Sequence, residues 1–119
     1  MQRIVEKPWG HEIIIVQTDK YVMKKLFIKA GQRLSRQFHV EKDETVYVCQ
    51  GTLLLDLSRD DNESNIIKLT EGKSWRITPK TIHRFTAPDK QNVVLFEVST
   101  PELDDVVRLS DDYGRTTGS

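Results

Sequence analysis

Apolar and polar positions alternate in short runs along most of the chain. Residues 11–17, 21–30, 44–50, 52–58, 65–70, 74–79, 83–88 and 92–99 are rich in β-branched and aromatic side chains, which suit a pleated, half-buried surface. Turn chemistry separates these runs at 18–20, 30–31, 50–51, 59–62, 71–72, 79–80 and 88–92. No long segment of helical period precedes residue 100. Residues 101–107, with Asp104 and Asp105 early, predict one helical turn or an extended tail. Short strands at roughly ten-residue spacing predict an all-β sandwich, barrel or jelly roll. Neither a repeat nor a linker divides the chain, so residues 1–119 are read as one domain.

Alternation also sorts side chains by face, because residues two apart in a strand point the same way. Lys24, Leu26 and Ile28 form one set, Glu44, Val46 and Val48 another, and His83 and Phe85 a third. Gln37 and His39 project together if their segment is extended. If these faces line one barrel, Gln37, His39, Glu44 and His83 meet in an apolar interior. Burying such groups unpaired costs several kcal/mol, a penalty that a bound divalent metal removes. Two imidazoles and a carboxylate suit zinc first, with manganese, iron, cobalt and nickel also open. The alternative is a hydrogen-bonded polar set without metal.

Composition narrows the partners. Eighteen Lys and Arg balance eighteen Asp and Glu, so no basic field for nucleic acid is on offer. No apolar run approaches the ~20 residues that cross a bilayer, and the start MQRIVEKPWG lacks the apolar core of a signal peptide. The solitary Cys49 cannot pair within the chain, which fits a reducing cytoplasm. Its apolar run predicts a buried, inert thiol. Trp9 and Trp75 read as packing residues, Phe38, Phe85 and Phe96 as core or rim, and His11 as a surface or loop residue. The polar ending at 116–119 is expected to fray. Edge pairing in small jelly rolls favours a homodimer, with residues 11–17 available to reach across to a partner.

The spacing Gly31-x5-Gln37-x-His39-x4-Glu44-x6-Gly51 resembles the first motif of the cupin superfamily, with glutamine at the first histidine position. Gly72 followed by Thr78-Pro79-Lys80-Thr81-Ile82-His83 resembles its second motif, with Lys80 at a glycine position and the metal-binding histidine in place. KPWG, AGQRLSRQFH and DDVVRLSDDYGR narrow the likeness to the cupin domain of type II mannose-6-phosphate isomerases, which also ends bifunctional mannose-1-phosphate guanylyltransferases. The sequence departs from that family at Lys42 (arginine there), Thr45 (histidine) and Ser99 (glutamine). The nucleotidyltransferase half of the bifunctional activity is not carried over to these 119 residues.

The resemblance implies a double-stranded β-helix, a jelly roll with a short C-terminal tail or helical turn. It implies a divalent metal on Gln37, His39, Glu44 and His83, and a sugar phosphate as the small-molecule partner. The expected activity is aldose–ketose isomerisation through an enediol. Glu97 is the candidate base and Lys42 its assistant. Lys24 shares the inward parity of Leu26 and Ile28, and a lysine stands there in the family. With Arg33, Arg84, Arg108 and Arg115, it is a candidate for substrate contact, since guanidinium forks bind two phosphate oxygens at once. Two other readings stay open: a metal-binding cupin that holds a small sugar or anion without turnover, and another metal-dependent activity such as a dioxygenase or epimerase.

Overall fold

The computed structural model describes residues 2–58 and 64–115. Among them eleven strands form: β1 (Arg3–Lys7), β2 (Gly10–Gln17), β3 (Val22–Ile28), β4 (Arg36–Phe38), β5 (Glu44–Gln50), β6 (Leu53–Ser58), β7 (Asn65–Leu69), β8 (Ser74–Ile77), β9 (Ile82–Thr86), β10 (Val93–Ser99) and β11 (Val107–Ser110). Every run predicted as a strand is one. β1, β4 and β11 are additional. Residues 101–106 make turns rather than a helix, and β11 follows them. The turn expected at 59–62 and the fraying end at 116–119 lie outside the described residues.

The strands build two antiparallel sheets, one of six in the order β1-β2-β3-β10-β5-β8 and one of five in the order β11-β4-β9-β6-β7. This is the expected jelly roll. Burial alternates strictly along β3, so that Val22, Lys24, Leu26 and Ile28 face inward, and the same holds for Glu44, Val46 and Val48 on β5. With Leu53, Leu55, Phe85 and Leu95 these apolar residues fill the space between the sheets. Each large apolar side chain so buried contributes about 1.5–3 kcal/mol. The polar members of the same inward rows are neighbours in register: Lys24 pairs with Glu97, and Val22 and Glu44 flank Ser99.

Two backbone positions fix the local geometry. Gly10 opens β2 at φ 153°, and a Cβ there would stand 1.9 Å from the Phe27 carbonyl oxygen, so only glycine lets β2 lie against β3. Lys80 stands where the second cupin motif has glycine, and it adopts the left-handed conformation that glycine favours, φ 68°. Its N–H donates to the His39 carbonyl at 2.6 Å, which ties the turn before β9 to the segment after β4.

Several expectations need correction. Cys49 is exposed, because inward Val46 and Val48 put it on the opposite face of β5. Trp9 is core at 3% exposure, but Trp75 is 39% exposed on the edge strand β8. His11 lies in β2 rather than a loop, half-buried and stacked on Phe27 with centroids 5.2 Å apart. Residues 11–17 are not free to reach a partner, since β2 pairs with β1 and β3 of its own chain.

Candidate metal centre

Three of the four expected ligands converge. His39 follows β4, Glu44 opens β5 and His83 lies in β9, so both sheets contribute. All three are buried, and their ligand atoms lie within 4.8 Å of one another. Glu44 Oε1 stands 3.3 Å from His39 Nε2 and 3.1 Å from His83 Nε2. Gln37 is the register partner of His83 and lines a cavity with His39. Its Oε1, the atom it would offer to a cation, accepts a hydrogen bond from Ser35 Oγ at 2.7 Å.

Hydrogen bonding on the far side of each ring sets the chemistry of this cluster. His39 Nδ1 lies 2.6 Å from the Asp105 carbonyl oxygen, and His83 Nδ1 lies 2.9 Å from that of Thr81. A carbonyl only accepts, so each Nδ1 carries the proton of its ring and each neutral imidazole turns a lone pair at Nε2 toward Glu44. Both Nε2 atoms and both Glu44 oxygens lack a hydrogen-bond partner. Glu44 Oε2 turns to Lys42, but Oε1 and the two Nε2 atoms are three buried acceptors that face one another and repel, and a cation among them removes that cost. Separations of 3.1 and 3.3 Å also suit ligand atoms about one ion at bond lengths of roughly 2.1 Å. The cluster therefore fits a divalent metal.

Asp105 stiffens this arrangement, a role missed by reading its segment only as a helical turn or an extended tail. Its carboxylate accepts the N–H groups of Val40, Glu41 and Lys42 at 3.0, 2.7 and 2.9 Å. Side chain and carbonyl of one residue thus hold the loop between the ligands His39 and Glu44.

Lys42 and Glu97 sit directly behind the cluster. Buried Lys42 Nζ lies 3.4 Å from both Glu44 Oε2 and Glu97 Oε2. Burial opposes its charge, but the two carboxylates outweigh burial and raise its pKa. Burial together with the charge on Glu44 pushes the Glu97 carboxyl up to about 8, against the pull of Lys42 and Lys24. Burial also disfavours the charge on Glu44; doubly protonated His39 and His83 rings donating to it, with Glu97 and Lys42, would hold that carboxyl well below the usual range. With the ring protons on Nδ1, a metal takes over what protonated imidazoles would do for Glu44.

The cluster opens into a cavity of about 240 Å³. Lys24, Lys42, Glu97, Arg108 and Arg115 line it, as their candidacy requires. Arg33 and Arg84 do not. Arg33 forms a bidentate pair with Asp112 at 2.6 and 2.8 Å. Arg84 alternates with inward His83, so it points out of the sandwich and donates to the Leu34 and Ser110 carbonyls. Both brace the structure. Thr45 likewise alternates with inward Glu44, so the departure from the family at that position lies outside the cavity.

Arg115 is fixed by Asp111, whose side chain is wholly buried and accepts its Nε at 3.0 Å and its main-chain N–H at 2.7 Å. Burial works against the Asp111 charge, but these bonds outweigh it and hold the carboxyl below its ordinary 3.8. A depressed carboxylate contributes stability above its unfolded pKa and loses it as pH falls through the folded one. Asp111→Asn should therefore lower the urea midpoint at pH 7 and flatten its decline below about pH 4. Parallel acid limbs for the two proteins would contradict this assignment.

A family model described as mannose-6-phosphate isomerase C-terminal matches residues 1–111. The chain belongs to that family. Mannose-1-phosphate guanylyltransferase of Escherichia coli K12 is 36% identical over 118 residues, which cover 97% of this chain and 24% of that protein. The xanthan biosynthesis protein XanB of Xanthomonas campestris is 34% identical over 96% of this chain and 24% of its own length. This member of the mannose-6-phosphate isomerase C-terminal family thus spans about a quarter of these curated relatives. Among solved structures, an RmlC-like cupin from Shewanella frigidimarina superposes with a TM-score of 0.72 at 17% identity, over 88% of both chains. CapF from Staphylococcus aureus superposes at 0.75 with 17% identity, over 92% of this chain and 34% of that one. Such distant likeness speaks for the cupin fold alone. Among the described residues there is no helix long and apolar enough to cross a membrane.

Proposed function

We propose that the protein is a metal-dependent cupin of the cytoplasm that interconverts mannose 6-phosphate and fructose 6-phosphate. The observation that carries this reading is the buried Glu97–Lys42–Glu44 chain running into the His39/His83 cluster at the base of a cationic cavity. His39, Glu44 and His83 would hold the metal, zinc first among the candidates, with Gln37 as a fourth ligand once its amide oxygen is released from Ser35. When bound, the metal polarises the carbonyl and adjacent hydroxyl oxygens of the sugar.

The remaining chemistry belongs to the protein. Isomerisation takes a proton from C2 of the aldose, passes through the enediol and returns a proton to C1. Burial makes Glu97 a stronger base than an exposed carboxylate, and it sits where it can take and return that proton. Lys42 holds Glu97 against Glu44 and offsets the charge that builds on the oxygens. Lys24 and Arg115 orient the phosphate end, with Arg108 beside Gln37. Zinc-loaded protein should equilibrate mannose 6-phosphate with fructose 6-phosphate, and the His39→Ala/His83→Ala double variant should lose that turnover entirely. Turnover that survives the loss of both histidines rules the metal mechanism out.

A second reading is a metal-binding cupin that holds a sugar phosphate without turning it over. Lys42 favours it, because the residue that departs from the family's arginine lies at the site itself. Binding of both sugar phosphates without interconversion would select this reading. We also propose a homodimer across the outer face of the six-stranded sheet. Tyr47 and Val98, 47% and 48% exposed, leave apolar surface there.

A further inference from the structure

The inner face of β1 is cationic. Arg3, Val5 and Lys7 line the cavity, while Ile4 and Glu6 turn away and are exposed. Strand register carries this face straight to the chemistry, because Arg3 pairs with Ile14, Ile14 with Lys24, and Lys24 with Glu97. Glu12 stands between two lysines, 4.0 Å from Lys7 Nζ and 3.5 Å from Lys24 Nζ, so one carboxylate serves two ammonium groups. Arg3 has no hydrogen-bond or ion-pair partner among the described residues. Although the whole chain carries no net charge, six cationic side chains but only three carboxylates line the cavity. Arg3 and Lys7 contribute two of the six from the edge strand of the six-stranded sheet.

We infer that the first strand builds the distal anion site: Arg3 and Lys7 bind a phosphate dianion, and Glu12 positions Lys7 and Lys24 for it. This rests on the sugar-phosphate reading above and adds the position that the phosphate occupies. Arg3 and Glu97 are three strands apart, roughly 14 Å along the sheet at about 4.8 Å per strand. Long side chains from β1 shorten that gap but do not close it. The ligand therefore carries its phosphate several carbons from the carbonyl under attack. The site favours a hexose 6-phosphate over a hexose 1-phosphate, whose phosphate would collide with the metal cluster.

The test is calorimetric titration of tag-free, zinc-loaded protein with mannose 6-phosphate, mannose 1-phosphate, mannose and inorganic phosphate. Wild-type protein, Arg3→Gln, Lys7→Gln, the double variant and Arg3→Lys are compared. Arg3 is exposed and Lys7 half-buried on an edge strand, so these changes leave the core untouched. Each neutral substitution should weaken mannose 6-phosphate and phosphate about tenfold, and the pair roughly a hundredfold, as loss of charge-assisted hydrogen bonds predicts. Zinc content and affinity for mannose should not change, and Arg3→Lys should recover part of the loss. A purely structural role for β1 would lower all affinities together and gain nothing from lysine. Wild-type affinity for mannose 6-phosphate in the double variant overturns the β1 site but leaves the sugar-phosphate reading standing. Wild-type protein that binds mannose as tightly as mannose 6-phosphate overturns both.

Discussion

Glu44→Gln is expected to abolish tight metal binding while the sandwich stays folded. Glu44 is the one group that both imidazole lone pairs face, and its second oxygen meets Lys42. The amide keeps the shape but loses the charge. Its NH2 group can donate to one Nε2, so the substitution turns a cluster that requires a cation into one that is partly satisfied without it. Metal affinity should fall by at least roughly a hundredfold, the upper end of what losing a mere outer partner costs. The thermal midpoint of metal-free protein should hold or rise, and the increase that zinc produces in the wild type should vanish. Competition with a chelator and melting curves with and without zinc measure both. A variant that keeps wild-type zinc affinity removes Glu44 from the ligand set.

Phe85→Ala is expected to have the largest effect on stability. Phe85 is 2% exposed, packs in the core cluster and lies with its ring centroid 5.6 Å from that of His83. Removing the ring leaves a void between the apolar core and the metal cluster, at a cost of about 3–5 kcal/mol. The urea midpoint should drop with an unchanged m value, since the surface exposed on unfolding stays much the same. A loss below about 1 kcal/mol would mean that the site collapses to fill the gap, against its position between two rigid sheets.

The sheets were legible wherever one face of a strand is apolar and the other polar. Lys24 is read as inward from its phase with Leu26 and Ile28. The strands that escaped notice lack that contrast. β4 is only three residues long. β11 is half-buried on three successive positions, so its sequence shows no period. β1 reverses the usual rule by turning Arg3 and Lys7 toward the cavity and Ile4, 63% exposed, toward solvent. An inward face that borders a wet cavity does not look apolar, so the sequence pattern hid the strand that frames the opening.

The ligand set was visible through motif spacing, but the reason it needs a cation was not. That reason lies in the Asp105 and Thr81 carbonyls, which fix both ring protons on the far side. One of those partners is 66 residues away in sequence. Arg33 and Arg84 show the converse limit. Their charge made them candidates, and only the fold reveals that Asp112 and two main-chain carbonyls already occupy them.

The first strand and the Asp111-held Arg115 border the same opening. A purification handle joined close to Arg3 or Arg115 would start beside that doorway. A polyhistidine handle would add a competing chelator there as well. Affinities and metal ratios are therefore best taken on protein from which such handles have been cleaved.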